Sequence, residues 1–544
     1  MLNNKHKILF STALNIGQCV FVAECFASIK NANTPVIVND IQFVIHPIFD
    51  ESADDVFFLH QWANTFHINT RESTIRNLLP IQKGSQVDED SLKEIERLLR
   101  VQHFLRDSKI KVLNPKQNKD KSKTIVIETW DNWSLLPTVS LGRSGGESKF
   151  AIGFKEDNFW GTGIKSKFNY KSNDERSGYK FAINSPIKWF ERARLSAGYS
   201  SNTDGSSVRL NFNKPFQLLN DKEMFSVNYL DDHHYTTLRQ NGEKVDVFKD
   251  YFKVNQIKYG QLLKKNDHNY YRMVLGINQI KHEFCRIEDT ESIKFKDNKL
   301  PNDRDFLYPW LAFNFIEADY RVLNNINLIN FNEDFNIGLQ FSAQIGAELN
   351  DIENNSIGYH ISGEISKGIK LDNKLLLLSA NFNSTLNTIH KDSYLMALQV
   401  DYFHHITNKW TYYNKFRLIS SKNNFIDRPL NLGDSNGIRG YPNSYQYGDQ
   451  QWLITTEIRN YPNINIYQLA DLGWAGFLDI GQSFGHNNQN NAIKTPIGSI
   501  GVGARLYSSR SSFGNIIHID LSTPLKNGVN VNNVEWRIQI KNHF

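Results

Sequence analysis

The sequence has no run of the roughly 18 to 20 uninterrupted apolar residues that a membrane-crossing helix needs. That excludes a helical membrane protein. It leaves a transmembrane β-barrel open, because barrel strands are apolar on one face only. Cysteine is scarce: Cys19, Cys25 and Cys285 are the 3 in 544 residues. The first two fall in an export signal described next, so Cys285 alone would remain after cleavage, which excludes a disulfide framework and a CxxC-type metal or redox site. Excess charge is also lacking, since a net +5 is small for this length and gives no reason to expect a nucleic-acid partner. No Gly-rich phosphate loop precedes a helix, and nothing implies a cofactor. A mean hydropathy of -0.48 with 22% charged residues would suit a soluble protein, yet 36 Phe and 22 Tyr lean toward β structure.

What is present begins with a basic start, Lys5-His6-Lys7, followed by the mostly apolar stretch from Ile8 to Phe26. Cys25-Phe26-Ala27 would precede cleavage before Ser28, so residues 1–27 read as a signal peptide. Residues 36–130 read as a small α/β unit. Val36 to Val44 is strand-like, Asp55 to Phe66 and Ser73 to Leu79 look helical, and Asp88 to Arg106 is the clearest helix. In that last segment Leu92, Ile95, Leu98 and Leu99 recur at helical spacing, and Asp88-Glu89-Asp90 suits the N-terminal end of the dipole. Strands at Ile110 to Leu113 and Thr124 to Thr129 complete the unit.

From 133 to 544 the character changes to windows of about ten residues with alternating polarity, joined by alternately short and longer polar connections. Lys149 to Phe154, Ile164 to Tyr170, Gly338 to Gly346, Leu375 to Phe382 and Trp410 to Leu418 are examples. About fifteen such windows precede the loop at Asn431 to Tyr441 and about five follow it, a total nearer twenty. The expected fold is therefore mostly β, a transmembrane antiparallel barrel behind one N-terminal α/β domain. The last window is the sharpest: Trp536, Ile538, Ile540 and Phe544 share one face, while Arg537, Gln539, Lys541 and His543 share the other. A strand with one lipid face and one wet face explains that pattern.

The loop NLGDSNGIRGY carries an Arg between an aliphatic residue and a Gly-Tyr-Pro turn, which a merely solvated loop does not need. Alternation after it places Leu453, Thr455, Glu457 and Arg459 on one face of their strand, opposite Trp452, Ile454 and Ile458. In the next strand Trp474, Leu478 and Ile480 share the lipid face, leaving Phe477 and Asp479 inside. Glu457 and Asp479 thus point into the lumen from neighbouring strands. A loop folding back would deliver Arg439 between them, a role suited to a planar guanidinium that binds carboxylates bidentately and stays charged.

These motifs carry a resemblance. GIRGYP at Gly437 to Pro442 (Gly437, Ile438, Arg439, Gly440 and Tyr441 forming the loop motif), FLDIG at Phe477 to Gly481 and the C-terminal aromatic strand resemble the BamA/TamA/two-partner-secretion superfamily of outer-membrane assembly and translocation barrels. KEDNFWGTG at Lys155 to Gly163 is similar to its acidic segment at the second barrel strand, and residues 36–130 resemble one POTRA domain, with Leu98 to Val112 as its helix-to-strand core. The resemblance implies a barrel of about sixteen strands. It also implies a bacterial outer-membrane protein with its POTRA domain in the periplasm, acting on unfolded outer-membrane or secreted client polypeptides, with periplasmic accessory proteins as further partners. Two departures stand out: only one POTRA domain fits, and no plug helix fits before Val36.

The expected function is insertion or translocation of other polypeptides, without enzymatic chemistry. The alternatives are a passive channel or surface structural protein, and a dedicated exporter of one secreted protein. The stretch Gly433 to Gly437 matches a G-x-S-x-G hydrolase elbow around Ser435, but Pro442 opposes the helix that the elbow requires. The pairs His233-His234 and His404-His405 place adjacent imidazoles on opposite faces of a strand, which does not suit a shared metal.

Overall fold

The computed structural model describes residues 35–49, 58–113, 122–287, 300–349, 357–467, 469–486, 490–508 and 516–541. Residues 1–27, expected as a signal peptide, and Phe544 lie outside the described residues.

The N-terminal unit is a four-stranded sheet of order β2-β1-β4-β3, made of β1 (Val36–His46), β2 (Gln86–Val87), β3 (Leu105–Leu113) and β4 (Ser122–Asp131). β1 and β4 pair in parallel, which demands a long crossover, and helices α1 (Phe58–Phe66), α2 (Glu72–Arg76) and α3 (Glu89–Arg100) fill it. Val38, Ile75, Ile95, Leu99, Phe104, Ile125 and Ile127 form the shared core. Asp88 starts α3 by accepting a hydrogen bond from the Ser91 amide at 2.8 Å. The expected helix from Asp88 to Arg106 is too long: the chain turns after Arg100, and Leu105 enters β3 because its side chain, like that of Phe104, completes the core. The expected helix from Ser73 to Leu79 shortens likewise to α2.

The remainder closes into one antiparallel barrel of twenty strands, fifteen before the Arg439 loop and five after it. The sixteen strands implied by the resemblance are therefore corrected to the number counted from polarity windows. The outer face is apolar: Phe154, Phe168, Phe181, Leu210, Trp474 and Trp536 are all exposed, as a barrel presents to lipid. Strand length falls from 24 residues in Glu243–Asn266 to 7 in the twentieth strand, Glu535–Lys541. Among the described residues that last strand meets the first, Leu135–Ser144, through a single registered pair, Ile538 with Arg143. Neighbouring pairs elsewhere run to as many as 18 registered residues, so this seam is the least paired in the wall among the described residues.

The α/β unit docks on one end of the barrel. The turn after the second strand, Glu147–Phe159, brings Gly161 to it: the Gly161 carbonyl accepts from the Arg71 amide at 3.0 Å and from Thr74 Oγ1 at 2.7 Å. Asn158, within the acidic segment singled out in the sequence, donates to Thr70 Oγ1 at 2.8 Å.

Candidate functional site

The long loop between the fifteenth strand (Trp410–Lys422) and the sixteenth (Gln450–Ile466) leaves from the end of the barrel opposite the α/β domain and turns back into the lumen. What drives it inward is apolar. Leu432, Ile438, Tyr441 and Tyr445 pack with Leu453 and Ile497 into a closed cluster on the barrel wall. Gly440 has φ +87°, where a side chain is strained, and a Cβ there would approach Ser522 Oγ to 2.7 Å. Gly440 thus lets the backbone lie against the wall.

That anchoring aims Arg439. Its Nε and Nη2 donate to the two oxygens of Asp479 at 2.6 and 2.8 Å, and its Nη1 donates to Glu457 at 2.8 Å. The guanidinium lies 3.4 Å from the centre of the Phe477 ring, the inward aromatic of the FLDIG strand Ala470–Phe484. Asp479 is 0% exposed, with Arg439 and Glu457 at 5%. Charges so deep persist only when paired and hydrogen-bonded. Sequence alternation placed the two carboxylates on one inner wall, and the structure brings Arg439 between them.

The network is wider than the sequence suggested. Glu457 also accepts from Arg459 Nε at 2.9 Å. On the other side Asp520 holds Arg505 at 2.6 Å and Arg537 at 2.8 Å. Asp434, in the loop itself, accepts from the Gly440 amide at 3.0 Å, bonds Ser144 of the first strand, and lies 3.7 Å from Arg537 of the last. Four arginines and four carboxylates therefore interlock, and Asp434 straddles the seam. Trp536 (51% exposed) and Ile540 face outward while Arg537 faces in, so the last strand divides its faces as its alternation indicated. Ser435 sits in a single 3₁₀ turn, Asp434–Asn436, and not at a strand-to-helix elbow. His233 lies against Tyr251 and Asp231, and His405 bonds Thr411, so these histidines serve the wall.

The second component was not legible. Between the tenth strand, Arg304–Glu317, and the eleventh, Gln340–Ala347, a short hairpin (Tyr320–Asn324 with Asn332–Asn336) enters the lumen from the domain end. Its apolar tip is buried: Ile329 packs on Tyr461, Ala475, Tyr507 and Ile516, while Leu323 and Ile326 pack on Leu375, Phe403 and Tyr413. Its backbone is read by the same network, since the Ile326 carbonyl accepts from Arg459 Nη1 at 3.3 Å and the Asn325 carbonyl from the Tyr461 hydroxyl at 3.2 Å. Within it, Glu333 accepts from the Asn327 and Leu328 amides; burial nonetheless pushes its carboxyl above the ordinary range. At the hairpin's base Arg100 of α3 binds Asp334 bidentately, both contacts at 3.0 Å, and Arg97 lies over the Tyr320 ring at 4.4 Å. A continuous chain of polar contacts thus runs from α3 through the hairpin to Arg459, Glu457 and Arg439. A window beginning at Gly338 had been expected as strand; the strand starts at Gln340, because the preceding residues close the hairpin. The one signal available was the asparagine-rich run NLINFN at 327–332, polar enough for a turn yet holding Ile329 and Phe331.

One family model agrees with the motifs. A model of the family described as haemolysin secretion/activation protein ShlB/FhaC/HecB matches residues 324–506, a span holding most of the hairpin, the whole Arg439 loop, Glu457 and Asp479. The resemblance read from GIRGYP and FLDIG is borne out by that match. No curated protein matches the chain. Similar solved structures include a BamA from Haemophilus ducreyi lacking POTRA domains 1-3 (14% identity, 93% of this chain and 84% of that one, TM-score 0.37). A CdiB from Acinetobacter baumannii shows 11% identity over 92% of this chain and 73% of that one, with a TM-score of 0.46. A CdiB from Escherichia coli shows 9% identity, 93% and 76% coverage, and a TM-score of 0.45.

Proposed function

We propose that this protein is an outer-membrane transporter of polypeptides, and that it secretes a client through the barrel lumen. The observation that carries this reading is the buried clamp of Arg439 on Asp479 and Glu457, within the span similar to secretion/activation proteins. A passive pore needs no such device: its luminal charges are solvated, and burying eight of them in mutual contact is costly unless a specific conformation must be held. Here the clamp holds the loop at one end of the lumen while the hairpin occupies the other. Both would have to yield, or move aside, for a chain to pass.

The α/β unit is read as a POTRA domain in the periplasm. β3 lies at the edge of its sheet, and Val112 and Leu113 are exposed on it. An unfolded client has unpaired backbone groups that such an edge can accept as an added strand. Because α3 holds the hairpin through Arg100 and Arg97, a client docking on this domain pulls on the plug of the lumen. No covalent step is required, and the work is done by binding and by release of contacts.

A second reading, insertion of client barrels into the membrane, is favoured by one feature. The seam between first and last strands has a single registered pair among the described residues, and an opened seam would offer a template edge to a client strand, for which unpaired backbone in hydrocarbon costs several kcal/mol per group. One experiment separates the two. In a Cys285→Ser background, Arg143→Cys with Ile538→Cys places a thiol pair across the seam. Secretion through the lumen predicts that transport persists when the pair is oxidised; loss of transport on oxidation, restored by reductant, would overturn it in favour of insertion.

A further inference from the structure

The two halves of the luminal wall are charged differently. On the side that carries the clamp every arginine of the network meets a carboxylate. On the opposite side, strands two to six, cations accumulate without equal compensation. In the third strand, Ile164–Asn173, Lys165 and Lys167 alternate with the outward Phe168, and in the fourth, Ser177–Pro186, Lys180 alternates with the outward Tyr179 and Phe181. In the sixth, Gly205–Lys214, Arg209 lies between the outward Val208 and Leu210. All four cations therefore face the lumen. Lys155 of the second strand stands directly opposite Lys167, and like charges so placed repel. Two carboxylates lie close by: Asp157 is engaged with Lys155 at 2.5 Å, and Asp232 is near enough to Lys180 and Arg209 to act on them electrostatically, so the two stand against five cations.

These side chains wall a groove of about 290 Å³. Its floor is small. Register runs from Lys167 across Ala182 and Gly198 to Arg209, so two residues with little or no side chain separate the cations. Three strand spacings put the ends of that row about 14 Å apart. On the same wall Asn169 is buried, and its Oδ1 has no hydrogen-bond partner. The hairpin packs on strands thirteen to nineteen, so it leaves this groove facing the lumen.

We infer that this basic groove binds an acidic, extended segment of the polypeptide in transit. The inference rests on the secretion reading. A single small anion would meet one or two of the cations. An extended chain carries side chains on one face at intervals of about 6.7 Å, so several carboxylates reach Lys167, Lys180 and Arg209 together. Binding to such partly solvated cations is individually weak and screened by salt, which suits a surface that must release its cargo.

The test uses the full chain in detergent micelles and a fluorescent ten-residue oligoglutamate, read by anisotropy at low and high salt. The wild type is expected to bind it in a salt-dependent manner. The triple variant Lys167→Gln, Lys180→Gln, Arg209→Gln is expected to bind about tenfold more weakly, and the double variant Lys167→Arg, Lys180→Arg, which retains Arg209, is expected to bind as the wild type does. Unchanged binding by the glutamine variant would overturn the proposal. So would displacement by inorganic phosphate at equal total charge, which would make the groove a small-anion site only. Loss of affinity in the arginine variant, with its thermal unfolding unaltered, would also count against a purely electrostatic groove. Because binding is measured without a client, it stands apart from secretion: a groove that binds oligoglutamate in a protein whose depletion leaves the periplasm and medium unchanged would sink the secretion reading alone.

Discussion

Replacing Arg439 with Ala removes the only side chain that, among the described residues, donates to both oxygens of Asp479, and Asp479 is fully buried. Glu457 keeps Arg459, so the loss falls on one carboxylate. Breaking a buried pair by deleting one partner costs about 3–5 kcal/mol, because the remaining charge stays desolvated and unpaired. The cost is borne by the folded-in position of the loop, since a detached loop re-exposes Asp479 to water. The equilibrium for loop opening should therefore rise by roughly two to four orders of magnitude, while the barrel strands stay paired. Hydrogen exchange over residues 431–447, followed in micelles, reads this directly as lost protection, and urea unfolding of the barrel reads global stability separately. Arg439→Ala combined with Asp479→Asn should recover part of the protection, because the stranded charge has gone. Protection within about threefold of the wild type in Arg439→Ala would refute the reasoning, as would a double variant no better than the single.

Three further outcomes follow from the same structure. Gly440→Ala should loosen the loop by about 1–3 kcal/mol, through the positive φ and the approach to Ser522, measured by the same exchange experiment. Arg100→Ala should free the base of the hairpin from α3 and raise the frequency of open events in planar-bilayer conductance, and deletion of 320–336 should hold the pore open; unchanged conductance in the deletion would show that the hairpin does not close the lumen. Glu333 has its carboxyl raised by burial, so the seated hairpin binds its proton more tightly than the released one. The seat is then most stable in acid, loses stability as pH rises from the ordinary carboxylate value through the raised one, and is level above that. Limited proteolysis of the hairpin should follow that curve, and Glu333→Gln should flatten it.

Barrel strands were legible because their two faces meet different solvents, so that Trp474 and Ile454 alternate with Asp479 and Glu457 with little interference from neighbours. The same alternation yielded the strand number and put both carboxylates on one inner wall. The hairpin escaped it: its strands have five residues each and pack inside the lumen, so neither face touches lipid and no two-solvent pattern is written into them. The end of α3 escaped for a related reason, since Leu99, Phe104 and Leu105 all enter one core whether the chain is helix or strand. Asp434 was missed because it makes sense only through Ser144, 290 residues away, and Asp520 because it sits between Arg505 and Arg537 on its two neighbouring strands, with no loop motif to single it out. The basic groove is distributed over five strands and no window of sequence contains it.

The measurement that bears most directly on the central claim is quantitative proteomics of outer membrane, periplasm and culture medium after depletion of this protein. Secretion through the lumen predicts one or a few polypeptides lost from the medium and accumulated in the periplasm, with other outer-membrane barrels at their normal level. Broad loss of other barrels would contradict it in favour of insertion, and unchanged fractions would contradict polypeptide transport altogether.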